Sequence, residues 1–364
     1  MSFFKLGFGG KKKLGVDIGT HSVKIVEASK EGGRFRLENY GLFELEDVDK
    51  NVASKQVPVA YEQDLAWGIK ETLKLAKISS VEVVASIPSF STFATVITMP
   101  FLSEQDIAKT IPYEARKYIP LPLSEVVLDW SIVNVTPPDK QPILPEKKEG
   151  RGKQASVEVY IAAVSKDETV RYQNIMKQAG LSLRALELEN SALIRALVGN
   201  DLSPIAVVNI GGRSTSILIV DQGFERISHN YEVGGYEITK SIARSLNVNF
   251  KRAEELKKTM GLKSQDSGMV NTAMSSLIDL IVFETKKIIR NYEDAKKTKI
   301  SRVLLIGGSA NMPMFAQYFQ EKIGLPISLG NPLARMIFEP RLELIKGELN
   351  STFAVAMGLA MREI

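Results

Sequence analysis

The stretch Val16-Asp17-Ile18-Gly19-Thr20-His21-Ser22 has a counterpart in the second half of the chain, Val208-Asn209-Ile210-Gly211-Gly212-Arg213-Ser214. In one register the two stretches share a valine, an Asp or Asn position, an isoleucine, a glycine and a serine. Chance rarely produces such a match, so the sequence predicts two duplicated halves. In each half an apolar strand ends in a short polar side chain, and a glycine turn follows it directly.

Both glycine turns have the composition of a phosphate-binding site. Glycine lets backbone N–H groups approach an anion with no Cβ in the way, and the nearby serine and threonine hydroxyls add donors. Neither turn has the G-x-x-x-x-G-K-[ST] pattern, and a strand is predicted after each of them. We expect Asp17 to hold Mg²⁺ directly or through water, with Lys24 and Arg213 supplying positive charge. The alternative is a pair of ordinary hairpin turns, which Asp, Asn and Gly favour without any ligand.

A third glycine pair bears on these alternatives. Gly307-Gly308 follows a predicted strand at 302–306, and Ser309 leads towards a helix predicted at about 313–323. Small residues ahead of a helix N-terminus would let an adenosine pack flat against the backbone. Three such elements in one chain favour a nucleotide site over unrelated turns.

The remaining hydrophobic pattern predicts mixed α/β structure. Further strands are predicted at 14–18, 23–28, 35–43, 81–87, 93–99, 126–135, 156–164, 205–210 and 216–220. Further helices are predicted at 61–77, 103–118, 186–197, 235–246, 251–260, 270–294 and 352–362. Residues 93–180 form a compact α+β unit between the two turns, with a loop rich in Pro, Lys and Gly at 136–154.

Composition limits the class of protein. With 364 residues the chain exceeds the size of a single core, so we expect two lobes with a cleft between them. The absence of cysteine excludes a disulfide framework, and two histidines are too few for a histidine-built zinc site. The net charge of +5 comes from lysines scattered among carboxylates, so nucleic acid is not an expected partner. No apolar run reaches the roughly 18 residues of a membrane span.

The three glycine elements, in this order, resemble the phosphate-1, phosphate-2 and adenosine motifs of the superfamily of actin, heat-shock chaperones and sugar kinases. The unit at 93–180 resembles the relocated subdomain of the cell-division protein FtsA. The segment from Ile87-Pro88 through Met99-Pro100-Phe101 to Tyr113-Glu114-Ala115 resembles the PilM family of type IV pilus assembly proteins, and the similarity extends from about Leu14 to Met361. It implies an α/β, actin-like (ribonuclease H-like, duplicated) fold of two lobes with an FtsA-type inserted α+β subdomain.

The resemblance also implies a division of the chain. Residues 14–92 and 181–204 would form subdomain 1A, 93–180 the inserted subdomain 1C, and 205–364 the second lobe, with subdomain 2B at about 236–300. Residues 1–13 are expected to be a flexible tail. The alternative is that this tail contacts an anionic membrane surface, because it has three phenylalanines ahead of three lysines: Phe3, Phe4 and Phe8.

The function implied is that of an ATP-binding scaffold in the cytoplasm, at the inner face of the inner membrane, active in type IV pilus biogenesis and twitching motility. It would bind the cytoplasmic N-terminal peptide of a PilN-like membrane protein in a groove between subdomain 1A and the insert. Pilus motor ATPases and further copies of the chain are additional expected partners. Tyr113, Tyr118 and Ile119 are candidate peptide contacts, and core positions are the alternative for them.

The nucleotide-site residues carried over from the superfamily are Asp17, Gly19, Thr20, His21, Ser22, Gly211, Gly212, Ser214, Thr215, Gly307, Gly308 and Ser309. Gly234-Gly235 resembles the glycine pair that follows phosphate-2. Glu254 and Lys257, one helical turn apart, resemble the pair that brackets ribose and adenine, with a solvated ion pair as the alternative.

The chain departs from the superfamily at Asn209, where hydrolytic members usually have aspartate. An amide orients a water, or meets Mg²⁺ through one, but takes no proton, so we predict feeble or absent ATPase activity. Glu187 and Glu189 remain as candidate bases.

The rival functions are an FtsA-like cell-division protein that forms filaments at the membrane and a sugar kinase. The first should have a C-terminal amphipathic helix and the second a catalytic aspartate in a sugar pocket, and neither pattern is present in the sequence.

Overall fold

The computed structural model describes residues 12–45, 62–137, 155–263 and 268–363. The predicted N-terminal tail up to residue 11 and the predicted loop from residue 138 to 154 lie outside the described residues.

The strands in chain order are β1 Lys13–Ile18, β2 Ser22–Glu31, β3 Arg34–Glu44, β4 Glu82–Ile87, β5 Thr92–Pro100, β6 Val126–Thr136, β7 Ser156–Ser165, β8 Ser182–Leu188, β9 Ile205–Ile210, β10 Thr215–Asp221, β11 Phe224–Tyr231, β12 Arg302–Ile306, β13 Ile327–Leu329 and β14 Met336–Ile337. The α-helices are α1 Glu62–Leu75, α2 Glu104–Ala115, α3 Lys166–Gln178, α4 Glu189–Leu197, α5 Gly235–Leu246, α6 Phe250–Thr259, α7 Gly268–Lys296, α8 Phe315–Ile323 and α9 Lys346–Ala360.

The first lobe is built on a sheet in the order β14-β3-β2-β1-β4-β8. Strand β1 pairs antiparallel with β2 and parallel with β4, so it is an interior strand of the sheet, and helices cover both faces. Helices α1 and α3 pack on one face, where Leu14, Val16 and Ile25 are fully buried. Helix α9 packs on the other face against Val26 and Ala28.

The second lobe repeats this arrangement with a sheet in the order β11-β10-β9-β12-β13. Helices α5 to α8 cover its outer face. Helices α4 and α9 lie on its inner face and also contact β4 of the first lobe, so they form the joint between the lobes. The two helices cross closely, since a Cβ on Gly358 would lie 1.9 Å from the carbonyl oxygen of Ala192.

The inserted unit is a sheet in the order β5-β7-β6 with helix α2 on one face. The side chains of β7 alternate as the period of a strand requires: Val157, Val159 and Ile161 are buried beneath α2, whereas Glu158 and Tyr160 face the opposite way. That opposite face meets the two lobes.

Several sequence predictions need correction. The segment beginning at Leu186 was predicted as the start of a helix at 186–197. It continues instead as β8, parallel to β4, and the helix begins only at Glu189. Strands β11, β13 and β14 were not predicted. Helix α3, predicted within the insert, packs its Tyr172, Ile175 and Met176 into the core of the first lobe. The predicted subdomain bounds remain a prediction.

Candidate functional site

The two glycine turns have the same hydrogen-bond geometry. The N–H of Gly19 donates to the carbonyl of Ser22 at 3.0 Å, and the N–H of Gly211 donates to the carbonyl of Ser214 at 2.9 Å. Each turn joins two antiparallel strands, β1 to β2 and β9 to β10. The predicted duplication is therefore present in the backbone, and a strand follows each turn.

The turns face each other across the cleft between the lobes. A Cβ on Gly212 would lie 2.9 Å from the Cβ of His21 and 3.5 Å from the hydroxyl of Thr20. Glycine is needed at this position because any side chain would collide with the opposite turn. The cavity bordered by the turns has a volume of about 820 Å³.

Asp17 lies at the base of the first turn and is buried. Its Oδ1 accepts a hydrogen bond of 2.8 Å from the Ser86 hydroxyl, and its Oδ2 lies 3.5 Å from the Lys24 ammonium. The carboxylate is thus held in one orientation, with a partial countercharge at its side.

Glu189 approaches the same place from the first turn of α4. Its carboxylate accepts a 3.0 Å hydrogen bond from the Asn209 amide and a 3.5 Å hydrogen bond from the Ser89 backbone N–H. Burial raises the pKa of Glu189 well above its usual range, and the negative charge of Asp17 raises it further. A positive group between the two carboxylates would reverse this effect.

The third glycine pair closes the cavity from the second lobe. Gly307 has a φ of 94°, and a Cβ there would lie 2.2 Å from the carbonyl oxygen of Ile210, so only glycine fits between β12 and β9. No atom lies within 4 Å of a Cβ placed on Gly308, which leaves open space beside the backbone. Helix α8 begins at Phe315, after the short 3-10 turn Gly308–Asn311.

Helix α5 begins against the second turn. The N–H of Gly235 donates to the Gly211 carbonyl at 2.9 Å, and that of Tyr236 to the Gly212 carbonyl at 2.7 Å. Gly234 serves this contact, because a Cβ on it would lie 2.6 Å from the Gly212 carbonyl oxygen.

Helix α6 contributes the buried side chain of Lys257, which donates to the carbonyl of Gly235 at 3.1 Å and to the hydroxyl of Thr239 at 2.8 Å. Its ammonium also lies 2.7 Å from a carboxylate oxygen of Glu254. The ion pair of Lys257 and Glu254 is therefore present, but it is not the solvated pair considered as the alternative, because Lys257 is buried and only Glu254 is partly exposed.

Most of the sequence-predicted site residues line this cavity. They are Asp17, Gly19, Thr20, His21, Ser22, Lys24, Glu189, Asn209, Gly211, Gly212, Ser214, Gly235, Glu254, Lys257, Gly307, Gly308 and Ser309.

Four predicted residues lie elsewhere. Gly234 only packs under the second turn, and Thr215 is buried with its hydroxyl on the Val233 carbonyl at 2.7 Å. The Arg213 guanidinium stacks on the ring of Tyr236, 4.7 Å from its centre. Glu187 is on β8, in ion pairs with Arg195 and Arg362.

Sequence reasoning missed other lining residues. Tyr236 and Phe250 have ring centres 5.1 Å apart at the second lobe, Asn311 ends the 3-10 turn after the third glycine pair, and Glu348 and Ser351 approach from α9. The aromatic pair could have been noticed, since Tyr236 follows the glycine pair directly. Glu348 and Ser351 gave no sequence signal, because only the packing of α9 brings them to the cleft.

The donor set at the turns bears on the expected Mg²⁺. Within the described parts of the chain no three His, Cys, Asp or Glu side chains come together as a metal cage. Asp17 and Glu189 with the amide of Asn209 form a smaller group of oxygen-bearing side chains. This set suits a hard cation that is held mostly by water and phosphate oxygens.

A second cavity, of about 870 Å³, lies between the insert and the first lobe, and we call it the insert groove. Its walls are β6 and β7 of the insert and β8 of the first lobe, with the tip of the β10–β11 hairpin at one end. Val127, Leu186 and Phe224 supply apolar surface to it, whereas the side chains of Leu128 and Trp130 pack on the opposite face of the insert sheet, towards α2.

The predicted peptide contacts do not line the insert groove. Ile119 is buried in the core of the insert, as the alternative interpretation expected, whereas Tyr113 and Tyr118 are exposed. These residues belong to α2 and its C-terminal end, and α2 covers the face of the insert sheet that is turned away from the groove. The groove was therefore expected at the wrong face of the insert.

The sequence profile described as "Type IV pilus assembly protein PilM" matches residues 15–364. This chain belongs to that PilM family. Among solved structures, one described as a PilM–PilN type IV pilus biogenesis complex superposes with a TM-score of 0.77 at 24% identity, and the match covers 96% of this chain and 98% of the other.

Two more distant relatives also match this chain over most of its length. MreB 5 of Spiroplasma citri, solved bound to AMPPNP, superposes with a TM-score of 0.52 at 14% identity over 96% of this chain and 94% of the other. The cell-division protein FtsA of Enterococcus faecalis is 22% identical over 94% of this chain and 85% of its own length. The expected actin-like fold is thereby confirmed for this PilM chain. Across its described residues, no helix is both long and apolar enough to span a bilayer.

Proposed function

We propose that this PilM-family chain is an ATP-binding scaffold of the type IV pilus assembly machinery. The observation that carries the proposal is the pair of matching glycine turns that close on one cavity, with a third glycine element beside them. Backbone N–H groups of the two turns hold the phosphate chain, and the open backbone at Gly308 receives the adenosine. The MreB 5 structure with AMPPNP supports the choice of ligand class.

Asp17 and Asn209 would hold Mg²⁺, through water. When bound, the ion neutralises charge on the phosphate oxygens and on the carboxylates of Asp17 and Glu189. With the ion present Glu189 accepts hydrogen bonds from Asn209 and Ser89 as a carboxylate. Glu189 is thus the better placed of the two candidate bases. Hydrolysis should still be slow, because its carboxylate already accepts two hydrogen bonds and is a weaker acceptor for the proton of an attacking water.

The nucleotide proposal is tested with Gly308→Val. The added side chain meets open space in the free protein and fills the place of the adenosine, so apo stability should be unchanged. Thermal unfolding with and without Mg²⁺ and ATP should show a rise in Tm for the wild type and for the control Arg213→Met, and none for Gly308→Val. An equal rise in all three proteins would contradict this site.

The hydrolysis proposal is tested by steady-state phosphate release. We expect a very low rate in the wild type. A robust rate that is lost in Glu189→Gln would show an enzyme instead of a scaffold.

The insert groove is the proposed site for the cytoplasmic N-terminal peptide of a PilN-like protein. Strands β8 and β6 are the outer strands of their sheets and border the groove from two sides, so an extended peptide has backbone partners as well as apolar walls. Binding would keep the chain at the cytoplasmic face of the inner membrane, where pilus motor ATPases or further copies of the chain could also join it. The PilM–PilN complex among the similar structures supports this partner.

Isothermal titration with that peptide, with and without ATP, tests the partner. We expect micromolar or tighter binding that Leu186→Asp weakens, and that Tyr113→Ser, on the far face of the insert, leaves unchanged. Absence of binding in both nucleotide conditions would remove the scaffold proposal.

A further inference from the structure

The floor of the insert groove contains an unusual group of buried polar atoms. Among the described residues, the buried side-chain atoms without a hydrogen-bond partner are Tyr160 Oη, Asn190 Oδ1 and Glu225 Oε2. They come from three parts of the molecule, the insert strand β7, the joint helix α4 and strand β11 of the second lobe. Buried polar atoms without partners are rare because each one costs its hydration. Their coincidence at one place indicates a missing ligand.

Glu225 is the central member of this group. Only 6% of its surface is exposed, and it lines the groove. Burial raises the pKa of Glu225 to about 7, against the opposing effects of Asn190, Ser228 and Tyr160, which surround the carboxyl group. None of these three neighbours has hydrogen-bond geometry to Oε2.

The cations near Glu225 are engaged elsewhere. Arg195 and Arg362 both pair with Glu187 on the neighbouring strand β8. Arg226, the next residue on β11, points to the other side and holds Glu158 at 2.8 Å. Glu225 therefore lacks a positive partner among the described residues that line the groove, whereas Glu187 on the same groove has two.

We propose that Glu225 receives a positively charged group of the bound peptide, either a lysine or arginine side chain or the N-terminal amine. This inference rests on the proposed peptide function of the groove. The cation completes the ion pair that the fold leaves open, and Tyr160 Oη takes part as a second hydrogen-bond partner. Val127 and Phe224, which line the same groove, offer exposed apolar surface to the aliphatic part of the incoming side chain. A buried, uncompensated carboxylate discriminates strongly between partners, since a peptide with a neutral group at this place leaves the carboxylate desolvated and unpaired.

The test combines peptide and protein changes. Synthetic peptides of the partner's N-terminal segment have one positive group neutralised at a time, through Lys or Arg to Gln changes and, separately, acetylation of the N-terminal amine. Each is titrated against the wild type, Glu225→Gln and the control Glu104→Gln. We expect one neutralisation to weaken wild-type binding at least tenfold, and to have less than a twofold effect in Glu225→Gln. Glu104→Gln, on the exposed side of α2 away from the groove, should respond as the wild type does, and the acetylated peptide separates the amine from the side chains.

A pH series gives a second readout that needs no substitution. Because the cation binds the ionised carboxylate, affinity of the wild type should rise about tenfold between pH 6 and pH 8, with proton release on binding. Glu225→Gln should show no such rise. If the peptide binds but no neutralisation couples to Glu225 and affinity is independent of pH, the inference is wrong and the peptide function stands. If no peptide binds the wild type, both are wrong.

Discussion

Glu189 illustrates at the residue scale how one side chain makes stability depend on pH. Its folded-state pKa lies above the unfolded value, so the folded chain binds the extra proton and stability falls as pH rises between the two values. In the absence of nucleotide and Mg²⁺, the unfolding free energy of the wild type should fall as the pH rises from about 5 to about 8. In Glu189→Gln, which has no proton to lose at this position, we expect this fall to be smaller by on the order of 1 to 2 kcal/mol. Urea unfolding at several pH values measures it. Parallel pH profiles for the two proteins would contradict the prediction.

Lys257 and Lys258 provide a matched pair, because both contact the carboxylate of Glu254. Lys257 is buried and also satisfies Gly235 and Thr239, whereas Lys258 lies 3.5 Å from Glu254 with most of its side chain in solvent. We expect Lys257→Met to lower the unfolding free energy by about 3 kcal/mol, since it leaves Glu254 without its close partner. Lys258→Met should cost less than about 0.5 kcal/mol. Chemical denaturation of both variants measures this difference, and equal losses would refute it.

Helix α9 allows a comparison of two glycines within one element. Gly358 lies against the backbone of Ala192 in α4, whereas a Cβ on Gly347 would meet nothing within 4 Å. We expect Gly358→Ala to destabilise the protein by about 3 kcal/mol or more, because α4 and α9 must move apart at the joint between the lobes. Gly347→Ala should be neutral or stabilise by a few tenths of a kcal/mol, since alanine favours helix. Thermal denaturation of the two variants measures the difference, and equal changes in Tm would contradict the prediction.

The elements also show what the sequence can predict. Local signals were sufficient for β1, β2, β9 and β10, where strands are apolar and turns contain glycine, and for α5, whose predicted bounds were correct. They failed at Leu186, which was predicted as helix but lies in β8, because that strand pairs with β4. The short strand β14 exists only because it pairs with β3, about 300 positions earlier in the chain, and no local pattern carries that information.

For the candidate sites the same distinction applies. Backbone-based features such as Gly212 and Gly307 were predictable because a Cβ at either position would collide with a neighbouring segment. Glu225 was not, since its isolation depends on three separate parts of the fold meeting around it. The predicted placement of Tyr113 beside the groove was wrong for a related reason, because a sequence pattern does not tell which face of the insert sheet a helix covers.

At the scale of the whole molecule, the insert is tied to the second lobe by a largely buried ion pair. Arg226 of β11 donates to Glu158 of β7 at 2.8 Å, and Lys296 of α7 lies 3.6 Å from the same carboxylate. Burial opposes ionisation of Glu158, but the hydrogen bond and charge of Arg226 prevail and lower its pKa. The insert groove thus has a fixed wall on the second lobe.

We expect Arg226→Met to cost about 3 kcal/mol, and the double change with Glu158→Met to cost less than the sum of the two single changes by about 1 to 3 kcal/mol. Lys296→Met is the control, with a loss below about 0.5 kcal/mol because that lysine is half exposed. Hydrogen exchange of β5 to β7 should accelerate in Arg226→Met. Additive losses, with unchanged exchange in the insert, would show that the pair does not connect the two parts.

Trp130 gives the inserted unit an optical signal of its own, because its side chain packs against the core of that unit. The chain has two tryptophans, and the other, Trp67, lies on α1 beside Phe43 with 59% of its surface exposed. In a Trp67→Phe background, tryptophan emission would come from the inserted unit alone. Unfolding of that unit would then appear as a red shift and stronger quenching by iodide in the unlabelled protein, separately from unfolding of the two lobes. The same chain without cysteine also accepts a single engineered thiol for a dye, so distances from the inserted unit to other points of the molecule become measurable by energy transfer.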